Sequence, residues 1–189
     1  MALSRRTTTW LQRAGAPPVL LAAVAWLLAT RNLQRDLHMV ELFSGKRALS
    51  TAFEEASLAV ASYDRESGGE AEDILTVPGW LRALSLILRV KHGGLVFACI
   101  PCSSWVFLNR GLSGRSAQQP LGRVEQQSVK TANEIASRVA LLLLLAVCRG
   151  VGCIVEQPGS SLLSVHPRFA QLRRLGLQRN SCVTDIYYL

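Results

Sequence analysis

Val40-Glu41-Leu42-Phe43-Ser44-Gly45 closes a β-like run that begins at residue 38, then turns at a glycine into a helical stretch over residues 44–57, where Leu49, Ala52 and Phe53 share one side. Strand, glycine turn and helix in that order predict the first unit of a parallel α/β sheet, and the chain beyond repeats the alternation. Residues 58–63 form a second strand ending at Asp64, and Asp73-Ile74-Leu75 a short third strand after the Gly68-Gly69 loop. Residues 80–90 form a helix with Leu81, Leu84 and Leu88 at helical spacing, stopped by Gly93-Gly94. Residues 95–100 are a continuous apolar run, the pattern of a central strand buried on both faces. A loop-rich stretch over residues 103–122 precedes the longest helix, residues 124–149, and Cys153-Ile154-Val155 is the next strand, closed by Glu156-Gln157-Pro158. A short helix at residues 169–175 and a last strand at residues 182–188 complete the pattern. The expected fold class is α/β: a Rossmann-like parallel sheet with helices on both faces.

The composition fits one folded domain. Apolar residues make up 49% of the 189 and charged residues 18%, a balance that excludes disorder over the chain as a whole. That length holds one core preceded by an extension, so residues 1–35 read as a basic N-terminal extension and residues 36–189 as the domain. Of the formal charge of +8, Arg5, Arg6, Arg13, Arg31 and Arg35, with no acid among them, carry +5. The remaining 16 basic and 13 acidic residues leave +3, which permits a basic face for phosphates without demanding one. Cys99, Cys102, Cys148, Cys153 and Cys182 are odd in number and embedded in apolar sequence. They argue against a secreted disulfide framework and for a reducing, intracellular compartment. None has zinc-ligand spacing, so no metal is expected.

Residues 14–30, between Arg13 and Arg31, are 17 consecutive uncharged residues, at the lower limit for a bilayer span. Three readings stand. Arginines ahead of an apolar core suggest a membrane anchor or a cleaved signal; Arg and Thr without acids suggest an organelle transit segment; and Pro17-Pro18 suggests the first turn of a helix packed on the domain that follows. A membrane reached through residues 14–30 is thus one expected partner, and a membrane-anchored or organellar location the alternative to the reducing compartment.

Ligands of open parallel sheets collect at the C-terminal strand ends. Those ends gather Phe43, Ser44 and Gly45, then Asp64, Asp73, Pro101 with Cys102, and Glu156. Gly45 permits a tight turn into a helix N-terminus, whose free N–H groups favour a carboxylate or other anion. Asp64 either caps a helix or holds a ribose hydroxyl pair. Cys102 is either an inert thiol or a nucleophile whose thiolate is favoured by Arg110 or Arg115 in the following loop. Cys99 and Cys102 have redox-motif spacing, but strand alternation sends them to opposite faces. Glu156 is either paired with an arginine or a proton donor at a partly desolvated rim.

In combination these motifs resemble the DNA cytosine-5 methyltransferase family. VELFSG at residues 40–45 resembles its first motif, Asp64 the acid ending its second strand, Asp73-Ile74 its later Asp-Ile pair, IPCSSW at residues 100–105 its Pro-Cys motif, and VEQP at residues 155–158 its Glu-Asn-Val motif. The order and spacing agree over residues 38–160. The resemblance implies the S-adenosylmethionine-dependent methyltransferase type of Rossmann-like fold and S-adenosylmethionine as cofactor, contacted by Glu41, Phe43, Ser44, Gly45, Asp64, Asp73 and Pro101. DNA is the implied partner and Cys102 and Glu156 the implied catalytic pair: the thiol attacks carbon 6 of a flipped-out cytosine while Glu156 protonates ring nitrogen 3. Lys46-Arg47-Ala48 stand where the family has further glycines, Gln157 stands in place of Asn, and the family's Gln-x-Arg-x-Arg motif is not found. An enzyme incomplete or weakly active alone is therefore expected, and the alternative is a non-catalytic methyltransferase-like interaction module, membrane-tethered or organelle-targeted.

Overall fold

The structure, a computed structural model, describes residues 5–174. Two helices, α1 (Arg5–Arg13) and α2 (Pro18–Thr30), precede β1 (Leu37–Leu42), α3 (Ala48–Glu55), β2 (Val60–Tyr63), the single turn α4 (Arg65–Gly68) and α5 (Val77–Arg89). There follow β3 (Val90–Cys99), the short α6 (Arg110–Ser113), α7 (Gln127–Cys148), β4 (Gly152–Glu156) and α8 (Pro167–Arg174). The four strands pair in the order β2-β1-β3-β4, all parallel. The chain is therefore an α/β protein built on a parallel sheet, and the strand order reverses between β1 and β3.

Alternation along each strand splits the sheet into two unlike faces. Val40 and Leu42 of β1, Val96 and Ala98 of β3, and Cys153 and Val155 of β4 point one way and are buried. Over them lie α5 and α7, and outside these α2 packs on α5 while α1 and α8 pack on α7. Fully burying each leucine of α5 and α7 contributes about 1.5–3 kcal/mol, which makes this stack the main source of cohesion. By length and composition α7 could cross a membrane, but Val139, Ala140 and the run from Leu142 to Ala146 are buried in this core. The opposite face carries α3, seated on β1 and β2. On β3 and β4 the same face holds Leu95, Phe97 and Ile154, which are only half-buried.

The helices α1 and α2 share the main core. Leu11, Ala14, Leu20, Val24 and Leu27 are buried in the same apolar cluster as Leu84, Leu88 and Leu142. Pro17 and Pro18 start α2 in the way proline permits, where a missing N–H costs nothing.

Two local expectations give way. Asp73-Ile74-Leu75 is no strand: Asp73 Oδ1 accepts from the Leu75 N–H at 2.9 Å and the Asp73 carbonyl from the Thr76 N–H at 3.0 Å, folding the segment into the turn that starts α5. Thr76 caps that helix through Gly79 N–H, and Gly79 is required because an added Cβ would stand 1.9 Å from the Asp73 carbonyl oxygen. Gly93-Gly94 do not stop α5, which ends at Arg89 and passes directly into β3. The pair forms a bulge instead, shifting the β1–β3 register between Leu37 and Met39, with Gly94 so close that a Cβ would meet the His38 carbonyl oxygen at 2.7 Å. The last strand expected at residues 182–188 lies outside the described residues.

Candidate functional site

The turn after β1 is held in an unusual shape. Phe43, Gly45 and Arg47 all have left-handed φ, at 59°, 48° and 59°, although only one of them is glycine. Each non-glycine residue in that region costs on the order of 1–3 kcal/mol and persists only where its surroundings over-determine it. Here they do. Phe43 and Ser44 N–H both donate to the Tyr63 carbonyl, Arg47 N–H donates to the Ser44 carbonyl, and Gly45 N–H donates to Asp64 Oδ2 at 2.9 Å. The other oxygen of Asp64 accepts from Glu66 N–H at 2.8 Å and caps α4. The ends of β1 and β2 are thus one rigid unit, with Asp64 half-buried in it. Ser44 is buried, and its Oγ has no hydrogen-bond partner. Above Gly45 the space is open, since an added Cβ would meet nothing within 4 Å.

The two residues that follow do not fill that space. Lys46 is exposed, and Arg47 turns back over β2, donating from Nε to Ser62 Oγ at 2.7 Å and pairing with Glu54 at 2.7 Å. Glu41 also points away from the rim. It is buried beneath α3, where its Oε2 accepts from Ser50 N–H at 2.9 Å and from the Ser50 hydroxyl, and Ser62 Oγ joins Ser50 Oγ at 2.9 Å. Asp73 lies in the turn before α5, half-buried, its second oxygen 3.7 Å from the exposed Arg65.

The exits of β3 and β4 are clamped together. Gln157, buried, donates from Nε2 to the Ile100 carbonyl and accepts from Ser161 Oγ at 2.8 Å. Pro101 is exposed and Cys102 half-buried, with a free thiol, and the Cys102 carbonyl starts the next turn by accepting from Trp105 N–H at 2.8 Å. Glu156 registers beside Cys99, three residues short of Cys102. Burial first, and then the carboxylates of Glu156 and Glu41, push the Cys99 thiol up to about 11. A thiol that stays protonated suits neither attack nor thiol exchange, which argues against Cys99 as a reactive group.

Neither loop arginine serves that thiol. Arg115 is 2% exposed and donates to the Ser104 carbonyl and hydroxyl, the Pro120 and Val129 carbonyls and Asn133 Oδ1, with its guanidinium 3.5 Å above the Trp105 ring. Burial lowers its pKa to about 10, still charged at neutral pH. Its hydrogen bonds fasten the loop over residues 103–123 onto α7. Arg110 reaches the Ser160 carbonyl and stacks on Phe107. A cavity of about 350 Å³ opens beside the β3 exit, between Pro101, Ser103 and Ser104 and the α7 residues Val129, Ala132 and Ile135, and a second of about 330 Å³ lies at the β2 edge by Arg47, Ser62 and Glu72.

The structure therefore brings Phe43, Ser44, Gly45 and Asp64 into one unit, sets Pro101 and Cys102 at the exit of β3, the other neighbour of β1, and leaves Glu41 and Asp73 in supporting networks. Gln157 and Arg115, the two side chains that tie the rim together, carry no sequence signal beyond an amide after Glu156 and one of two arginines in a serine-rich loop. Among the described residues no group of three or more His, Cys, Asp or Glu side chains could hold a metal ion. Compared with family models, with curated proteins and with solved structures, the chain finds no match.

Proposed function

We propose that the rim formed by Ser44-Gly45, Asp64 and Pro101-Cys102 binds S-adenosylmethionine, and that the chain is a methyltransferase-like domain of the cytosine-5 type. The observation that carries the reading is the Gly45–Asp64 hydrogen bond, which ties the ends of β1 and β2 next to the strand-order reversal between β1 and β3, with the unpartnered, buried Ser44 hydroxyl beside it. The residues fit such a group. Asp64 keeps lone pairs for a ribose hydroxyl pair, Ser44 Oγ lacks a partner, the space over Gly45 is open, and Lys46 is a free-standing cation for a carboxylate. When bound, S-adenosylmethionine supplies an electrophilic methyl group. On the chain's side, Cys102 adds its thiolate to carbon 6 of a flipped-out cytosine and Glu156 holds and protonates ring nitrogen 3.

A second reading, a methyltransferase-like module that binds without turnover, is favoured by one observation: the hydrogen bonds of Arg110 and Arg115 go to Ser160 and to Ser104, Pro120, Val129 and Asn133, and not to Cys102. Calorimetry on the full chain separates binding from its absence. Heat on titration with S-adenosylmethionine is expected, reduced about 2- to 12-fold in affinity by Ser44→Ala, one hydrogen bond's worth, with no loss of stability. A folded chain that gives no heat sinks both the cofactor assignment and the enzyme. Trapping on DNA that carries 5-fluorocytosine then tests turnover: a covalent adduct lost in Cys102→Ala supports the enzyme, and cofactor binding without adduct supports the module.

A further inference from the structure

The helix α2, PVLLAAVAWLLAT, has no charged residue, yet only one of its faces is used. Leu20, Val24 and Leu27 are buried in the core, while on the other side Val19 is 69% and Trp26 49% exposed. Val19, Ala22, Trp26 and Ala29 follow one another at helical spacing, and all are exposed, so an apolar stripe about 15 Å long runs along the surface. Both ends of the stripe are positive. At its start stands Arg13, and Gln171 of α8 donates from Nε2 to the Ala14 carbonyl at 2.7 Å, which brings the exposed Arg173 and Arg174 to the same end. At its finish Arg31 and Arg35 are exposed. Neither residues 1–35 nor α8 contain an acid, and the acid that follows, Asp36, is paired with Arg89.

An apolar stripe carrying a tryptophan and bracketed by arginines matches one surface chemistry: acyl chains beneath a layer of negative headgroups. We infer that the outer face of α2 docks flat on an anionic phospholipid bilayer, with Val19 and Trp26 inserted at the headgroup boundary and the flanking arginines on lipid phosphates. The chain lies on the membrane and does not span it, because spanning would pull Leu20, Val24 and Leu27 out of the core that holds α5. This inference is independent of the cofactor and of Cys102.

The test uses the full chain and vesicles without cofactor. Co-sedimentation is expected with phosphatidylcholine vesicles containing about 30% phosphatidylserine and not with phosphatidylcholine alone, accompanied by a blue shift of tryptophan emission. The double variant Val19→Ser/Trp26→Ser, at exposed positions that leave the melting temperature in place, is expected to weaken binding about fivefold or more, and Arg31→Gln/Arg35→Gln to weaken it likewise. Equal binding by wild type and the Val19→Ser/Trp26→Ser variant overturns the inference, as does no binding at all. Retention in the membrane pellet after an alkaline carbonate wash overturns it in favour of a span. A dimer by light scattering that the double variant dissociates overturns it in favour of a second copy of the chain.

Discussion

Beneath α5 and α7 the sheet presents Val40, Leu42, Val96, Ala98 and Val155 to apolar neighbours, whereas beneath α3 the same strands present Glu41 and Ser62, joined through Ser50 to one another and through Ser62 to Arg47. The apolar side is thicker and holds more buried area, but it leaves polar atoms over: Trp105 Nε1, Arg149 Nε and His166 Nδ1 have no hydrogen-bond partner. On the polar side Glu41, Ser50, Ser62 and Arg47 bond to one another, and the unpartnered Ser44 hydroxyl lies beyond them in the β1 turn. The difference teaches that the apolar side supplies the stability, while the polar side supplies positional definition for the β1 turn lying directly beyond Glu41.

Mutation sharpens that contrast. The largest effect is expected on the apolar side, where Leu84→Ala removes a fully buried side chain of α5 and should cost about 2–5 kcal/mol, read by urea unfolding. Next comes His166, buried edge-on to Trp105 and Phe169. Burial, and after it the charges of Arg115 and Arg168, lower its pKa from 6.5 to about 4. The unfolded chain therefore takes up a proton before the folded one does, so this contribution to stability is complete above pH 6.5 and is lost as pH falls toward 4. The loss is on the order of 2–3 kcal/mol, and His166→Phe should flatten that part of the pH profile of unfolding.

On the polar side the expected costs are smaller. Glu41→Gln keeps the shape but offers a weaker acceptor to Ser50, and should cost about 1–3 kcal/mol while lowering cofactor affinity through the loosened turn, measurable by unfolding and calorimetry on one sample. A cost equal to that of Leu84→Ala would break the distinction between the two faces. Smallest of all, Arg47→Ala removes an exposed ion pair and the exposed hydrogen bond to Ser62, and should cost no more than about 1 kcal/mol. A larger change would give the Arg47 side chain, beyond its backbone, a part in defining the turn.

What could be read in the sequence follows the same division. The strands of the sheet were legible because the apolar runs at residues 95–100 and 153–155 are too short for helices and stand between helical periods, and because Phe43-Ser44-Gly45 marks a turn. The polar links were not. Ser50 reaches Glu41 only once α3 has crossed over β1, and Gln157 reaches Ile100, 57 residues earlier, only because β3 and β4 are neighbours. Asp73-Ile74-Leu75 has a strand-like composition, but the Asp73 side chain bonds the backbone two residues on, and this local bond wins over propensity. Gly93-Gly94 read as a helix stop because glycine punctuates both helices and bulges, and spacing alone does not separate the two.

The contact between Gln171 and Ala14 joins residues 157 apart and sets a schedule for synthesis. At about 5–20 residues per second, the α1–α2 segment leaves the ribosome roughly 8–30 s before the helix that completes its setting. Through that interval an uncharged helix of 13 residues waits first for α5 and then for α8. An apolar helix that waits is open to association with other apolar surfaces, so slower synthesis is expected to lower the yield of folded protein.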